Sequence, residues 1–418
     1  MTNRLLTFYG DDFTGSTDAL EAVASNGIPS VLFLDAPSGE LLDRFADCRA
    51  IGIAGESRSR GPEWMDANLP PVLESLRRIG APICQYKVCS TFDSSPEHGS
   101  IGRAMEIGRR VFGNPWVPIA VAAPHLKRFV LFGNLFAAAG DSVYRIDRHP
   151  TMSRHPVTPM DESDLLRHLA RQTDMRIGNL DILNGDRRLD ELLASHADAV
   201  LFDGLGAESI EEVGRLIWNR RFAGPMFCAG SSGLTHALML HWRAIGLIPQ
   251  SFTPAPVPEV DRLIAISGSC SPATEAQIRW AMNHGYAGLH IDAANIIETA
   301  IGRLAEGRNV VLYSALGPPD CTGAPKGEVL GRHLGMLLSE IAIRSGVRRA
   351  VICGGDTSSH AVRQLGMEAL TFAGLLSPGA PLCRAHSANP AMDGLELVLK
   401  GGQVGPDNFF EMVRKGKS

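Results

Sequence analysis

The sequence predicts an α/β protein of two domains, each a mainly parallel sheet covered by helices. Three observations carry that prediction. Short apolar runs alternate along the chain with stretches of helical spacing, the pattern of strand and crossover helix. At 418 residues the chain is too long for one ordinary core. The stretch Leu247-Ile-Pro-Gln-Ser-Phe-Thr-Pro-Ala-Pro-Val-Pro258 holds several prolines and no helical pattern, which marks a linker at 247–258 between a first domain of residues 1–246 and a second of residues 259–418.

In the first domain, residues 5–9 read as a strand that breaks at Gly10-Asp11-Asp12-Phe13-Thr14-Gly15, after which residues 16–24 have helical spacing. Strands follow at 30–35 and 50–54, and Gly55-Glu56-Ser57-Arg58-Ser59-Arg60 is the polar turn after the second of them. A helix at 63–79, a strand at 84–88, a Ser/Gly-rich turn at 94–100 and a helix at 101–111 continue the alternation, with further apolar runs at 119–122 and 129–132. Residues 133–159 lack periodicity and predict a long ordered loop of the lid type. A helix at 161–172, a strand at 199–203 and helices at 210–220 and 231–244 complete the domain.

Beyond the linker the alternation resumes with a strand at 263–267, a helix at 271–284, a strand at 288–291, a helix at 293–305 and a strand at 310–313. The run at 350–353 is apolar throughout, as in a strand buried on both faces, and stops at Gly354-Gly355. Asp356 and Thr357 can cap a new helix there, on which Ala361, Val362 and Leu365 form a buried stripe.

Composition narrows the class. With 44% hydrophobic and 20% charged residues the chain has the profile of a globular enzyme, and a formal net charge of −5 supplies no field that would gather nucleic acid or anionic lipid. No segment approaches the roughly 18 apolar residues that cross a bilayer, and the N-terminus shows no charged leader with a cleavage site. The eight cysteines form no C-x-x-C pair, which favours free thiols in a cytoplasmic protein. Nothing in the composition opposes a homo-oligomer.

Three turns in the second domain each follow an apolar run: Ser267-Gly-Ser-Cys-Ser271, Gly354-Gly-Asp-Thr-Ser358 and Lys400-Gly-Gly-Gln-Val404. Their backbone N–H groups and hydroxyls suit a polyphosphate, with Ser267, Ser269, Gly354, Gly355, Asp356, Thr357, Gly401 and Gly402 as the candidate nucleotide-binding residues. No G-x-x-x-x-G-K-[ST] is present, which excludes a P-loop. The first domain offers Asp11, Asp12, Ser57, Arg58, Lys87, Ser90 and Thr91 at successive strand ends as candidates for an anionic small molecule. Arg58 has a fork that fits a carboxylate and Lys87 a compact charge for a carboxylate or a transferred phosphate. Asp11 and Asp12 can orient hydroxyls or remove a proton from one. His149, Arg154 and His155 receive no chemistry on sequence alone.

The stretches Asp11-Asp-Phe-Thr-Gly-Ser-Thr-Asp18, Lys87-Val-Cys-Ser-Thr-Phe-Asp-Ser94, His155-Pro-Val-Thr-Pro-Met160, Ser267-Gly-Ser-Cys-Ser271 and Gly354-Gly-Asp-Thr-Ser358 with Lys400-Gly-Gly402 together resemble the four-carbon acid sugar kinases, in order and over essentially the whole chain. The resemblance implies an N-terminal domain for the acid, a C-terminal domain for ATP and an active site in the interdomain cleft. Phe92-Asp-Ser-Ser-Pro-Glu-His-Gly99 is more similar to the 3-oxo-tetronate kinase branch and to kinases of branched oxo acids such as 3-oxo-isoapionate. The expectation is an ATP-dependent kinase of a four- or five-carbon sugar acid or oxo acid, using Mg2+ and with Asp12, Lys87 and Asp356 as catalytic residues. The alternative is a non-catalytic regulator that binds acid and nucleotide. No metal ligands can be assigned.

Overall fold

The computed structural model describes residues 3–155, 157–317, 320 and 327–417, the side chain of Asp356 excepted. The chain divides into two compact units, one of Met1–Ser30 and Ala36–Phe252, the other of Val31–Asp35 and Thr253–Ser418. The division after Phe252 falls within the proline-rich stretch. The second unit also takes residues 31–35, which the sequence placed in the first domain. Their reason is pairing: Val31, Leu32 and Phe33 run antiparallel to Thr371, Leu370 and Ala369, and the Leu34 amide donates to the Glu368 carbonyl at 3.1 Å.

The first unit is built on seven strands, all parallel, in the order Ala50–Ala54, Leu6–Gly10, Ile83–Lys87, Met226–Gly230, Val117–Ala120, Ala199–Phe202, Ile177–Leu180. Their central members are buried along their whole length, which is why they read as unbroken apolar runs rather than as alternation. Helices such as Phe13–Ala24, Pro62–Ile79 and Ile101–Phe112 make the crossovers.

Residues 133–159 are not a lid-type loop over most of their length. Arg128–Leu131, Asn134–Ala139 and Ser142–Arg145 form a three-stranded antiparallel sheet, leaving short helical turns at Ile146–Arg148 and Met152–Arg154. Phe132 and Gly133, at φ 50° and 74°, make the two-residue hairpin turn, a conformation with both central residues at positive φ that matches strand twist. The second strand is rich in alanine and lacks β-branched residues, which hides it from a propensity argument.

In the second unit five parallel strands, in the order Ala287–His290, Val310–Tyr313, Ile264–Ser267, Arg349–Cys353, Glu396–Lys400, are extended by the antiparallel strands Ala380–His386 and Ala369–Ser377. Those two were not foreseen. Six cysteines, Cys48, Cys84, Cys89, Cys228, Cys353 and Cys383, are not disulfide-bonded. Cys270 is disulfide-bonded, which departs from the expected pattern, and Cys321 lies outside the described residues. Among the described residues no helix is long and apolar enough to cross a membrane.

Candidate active site

Polar residues of the first unit collect at the carboxyl ends of adjacent parallel strands, where open α/β sheets bind ligands. Leu6–Gly10 runs into Asp11 and Asp12, Ala50–Ala54 leads to the helical turn Ser57–Ser59, and Ile83–Lys87 ends on Lys87. The backbone ties these ends together, the Asp11 amide donating to the Lys87 carbonyl at 2.9 Å and the Arg58 amide to the Asp11 carbonyl at 3.0 Å.

The side chains form two ion-paired sets. Arg58 donates from Nε and Nη2 to the two oxygens of Asp11, at 3.1 and 2.7 Å, and from Nη1 to Asp12 Oδ2 at 2.8 Å. Asp12 uses its other oxygen to cap the helix Phe13–Ala24, accepting from the Gly15 amide at 2.7 Å. Lys87 Nζ stands 3.0 Å from Asp18 Oδ2 and donates to the Val88 carbonyl at 3.2 Å. Gly15 leaves room for the Asp12 cap: a Cβ there would lie 2.4 Å from Asp12 Oδ1, while Arg58 Nη2 and Lys87 Nζ, each at 3.5 Å, would be in ordinary contact with it.

Two sequence expectations change here. The fork of Arg58, expected to receive a substrate carboxylate, is filled by the protein's own acids. Asp18 was passed over, although it stands three residues after Gly15 and therefore on the same helix face.

Burial pushes the Asp11 carboxyl up to about 6, against the pull of Arg58 and with the charge of Asp12 adding to the rise. Burial acts downward on the Lys87 ammonium, but Asp18 and Asp11 outweigh it and hold the group above its ordinary value. Arg58 is held up in the same way by Asp11 and Asp12. Lys87 is therefore a buried, permanently charged group.

The remaining candidates sit differently. Ser57 Oγ is buried 2.7 Å from the Tyr86 hydroxyl, in the wall behind the ion pairs. Thr91 Oγ1 donates to Asp93 Oδ1 at 2.5 Å, and Asp93 Oδ2 accepts from Thr158 Oγ1 at 3.3 Å. The Thr158 amide in turn donates to His155 Nδ1 at 3.1 Å. Asp93 thus joins the turn after Lys87 to the segment around His155. Ser90 is half-buried and makes no side-chain hydrogen bond among the described residues.

In the second unit the three turns leave three neighbouring strands, Ile264–Ser267, Arg349–Cys353 and Glu396–Lys400. The Gly268 amide donates to the Cys353 carbonyl at 3.2 Å and the Gly354 amide to the Lys400 carbonyl at 2.9 Å. Gly354 has φ +113°, open only to glycine, and a Cβ on Gly268 would lie 2.4 Å from Thr357 Oγ1. Gly355 faces open space and begins the helix Gly355–Val362, whose first amides favour an anion. Asp356 lies in that first turn, and its side chain is outside the described set. The hydroxyls of Ser267 and Ser269 accept from the amides of Ser269 and Ser271, at 3.3 and 3.2 Å, and so shape their own turn. Gly401 and Gly402 are half-buried just past Lys400. Lys400 itself, to which the sequence gave no role, is fully buried. Its Nζ donates to Thr274 Oγ1 and to the Gly401 carbonyl, both at 3.1 Å, and burial pulls its ammonium down from the ordinary value.

Two family models match the chain, a sugar-binding N-terminal domain over residues 6–238 and a nucleotide-binding C-terminal domain over residues 264–410. A 3-oxo-isoapionate kinase of Paraburkholderia graminis is 47% identical, over 99% of this chain and 94% of its own length. The chain belongs to the four-carbon acid sugar kinase family. Two 3-oxo-tetronate kinases of the family, from Cupriavidus necator and Methylobacterium radiotolerans, are 29% and 30% identical over 98% and 96% of this chain and 97% and 96% of theirs. Among solved structures, a Salmonella typhimurium LT2 protein superposes with a TM-score of 0.78 at 24% identity over 99% of both chains. A Haemophilus influenzae DUF1537 protein does so with a TM-score of 0.73 at 22% identity, over 98% of this chain and 99% of its own. Both share the fold. As a member of the four-carbon acid sugar kinase family, the chain is a phosphotransferase acting on a sugar acid hydroxyl with ATP as co-substrate, and the non-catalytic alternative is not favoured.

Proposed function

We propose that the acceptor is a branched 3-oxo acid of the 3-oxo-isoapionate type. The observation that supports this is the 47% identity to the 3-oxo-isoapionate kinase over nearly the full length of both chains, against 29% and 30% for the two 3-oxo-tetronate kinases. In this reading the first unit binds the acid. Arg58 holds Asp11 and Asp12 in place, and these two orient the acceptor's hydroxyls. Lys87 places a charge beside the transferred group, where phosphoryl transfer gains most from fixed electrostatics. The second unit binds ATP on the turns at Ser267, Ser269, Gly354, Gly355, Thr357, Gly401 and Gly402, with Asp356 at the head of the helix and Lys400 beneath.

Magnesium would arrive with the nucleotide. Among the described residues no group of three or more His, Cys, Asp or Glu could hold a metal, so the protein supplies no ready cage there. The test is a coupled ADP-release assay over 3-oxo-isoapionate, 3-oxo-tetronates and saturated tetronates. We expect kcat/KM for 3-oxo-isoapionate to lead the panel by about tenfold or more, a difference of roughly 1.4 kcal/mol in transition-state binding. Equal rates, or a lead for a tetronate, would assign the enzyme to the other branch.

Asp11, its carboxyl pushed up to about 6 by burial, is suited to accept the hydroxyl proton near neutral pH. The acid must be ionised to act, so kcat/KM should fall about tenfold per pH unit below roughly 6. The limb is not one of unfolding driven by Asp11. Its folded-state value lies above that of a free aspartate, so its ionisation weighs against folding above about 6 and that penalty fades as the pH drops. Asp11→Asn should lower the plateau and remove the limb. A limb that survives the substitution assigns it to another group.

A further inference from the structure

The acid cluster of the first unit has no positive charge to spare. Asp11, Asp12 and Asp18 stand against Arg58 and Lys87, three carboxylates to two cations, and Asp93 adds a fourth acid close by. Such a cluster repels the carboxylate of an incoming acid unless another cation faces it.

Arg128 is a cation on the same carboxyl edge of the sheet. It opens the hairpin sheet and is bound back onto the end of the Val117–Ala120 strand, exchanging backbone hydrogen bonds with Ala123 at 3.0 and 3.1 Å. That strand lies two places from Ile83–Lys87 in the sheet, with Met226–Gly230 between them and all three parallel. Nη1 is fixed on the carbonyls of Leu126, Lys127 and Ala138, at 2.9, 3.2 and 3.4 Å. Among the described residues the buried Nε has no hydrogen-bond partner and Nη2 makes no hydrogen bond. On Arg58 this same Nε–Nη2 edge grips Asp11, whereas on Arg128 no carboxylate among the described residues occupies it. Burial draws the guanidinium below its ordinary value with little to oppose it, which is the signature of an uncompensated charge. A buried N–H without an acceptor is costly, and a planar carboxylate is the group whose two oxygens satisfy that edge.

We propose that Arg128 receives the carboxylate of the acceptor acid and is the residue by which this kinase distinguishes an acid from a neutral sugar. The proposal rests on the first unit binding the acid, as set out above. Its test compares wild type, Arg128→Gln and Arg128→Lys on the preferred acid and on the neutral analogue bearing CH2OH in place of the carboxylate. Titration calorimetry with a tetronate and no nucleotide runs in parallel. Arg128→Gln should raise KM for the acid about a hundredfold, leave KM for ATP within about twofold, and leave kcat/KM for the neutral analogue unchanged, so that discrimination disappears. Arg128→Lys, with charge but no fork, should fall between. Equal losses on acid and neutral analogue would make Arg128 a structural part of the hairpin. A fall in kcat alone would place it on the transferred phosphoryl group. Either result overturns the proposal. If wild type phosphorylates no acid of the panel, the functional reading fails by itself. In that case calorimetry still decides Arg128, because equal tetronate affinity in wild type and Arg128→Gln would overturn the assignment.

Discussion

Lys87→Met should lower kcat by about two to three orders of magnitude, the effect expected when a preorganised charge beside a developing anion is removed. The side chain is 3% exposed, and its ammonium is paired with Asp18 at 3.0 Å and held above its ordinary value by Asp18 and Asp11. Water cannot replace such a group. The substitution also leaves Asp18 without its partner, so a loss of activity by itself would not separate catalysis from support. Asp18 is 27% exposed and keeps some solvation, which limits the structural penalty. The double variant Lys87→Met with Asp18→Asn removes both charges at once. It should regain the melting temperature lost by the single variant and recover none of the turnover. Recovery of turnover in the double variant would mean that Lys87 serves only to neutralise Asp18.

The parts of this site that the sequence made legible are those set by local signals. Leu6–Gly10 and Ile83–Lys87 are buried on both faces, so their ends, and with them Asp11, Asp12 and Lys87, are visible as the points where an apolar run stops. The partners were not visible, because pairing depends on strand order. Arg58 meets Asp11 and Asp12 only because Ala50–Ala54 lies beside Leu6–Gly10, and no periodicity in either strand says so. Met226–Gly230, which separates Ile83–Lys87 from Val117–Ala120, is a five-residue apolar run set directly against the next helix, and period alone cannot tell it from that helix. Arg128 was hidden in the same way. It opens a strand whose partner is an alanine-rich stretch that reads as loop, and its unfilled edge is a property of the packed hairpin.

Lys400 supplies the other large effect, and its two consequences have opposite signs. Its side chain is fully buried on neutral partners, Thr274 Oγ1 and the Gly401 carbonyl, and Thr274 Oγ1 in turn donates to the Gly402 carbonyl at 2.8 Å. A buried cation without a carboxylate weighs against folding, so an apolar residue of similar length should be tolerated or better. Lys400→Met should therefore melt at the same temperature as wild type, or a few degrees higher, without nucleotide. The difference should shrink as the pH rises. The folded-state value of Lys400 lies below that of a free lysine, so the unfolded chain binds more protons in that range, and wild type gains stability as Lys400 deprotonates. A polyphosphate over the Lys400-Gly401-Gly402 turn would supply the missing counter-charge, and losing that attraction should raise KM for ATP by at least about tenfold while KM for the acid stays near wild type. Greater stability with weaker ATP binding is the expected pair of results. A lower melting temperature with unchanged KM for ATP would make Lys400 a clamp on the turn and leave the phosphates to the backbone amides.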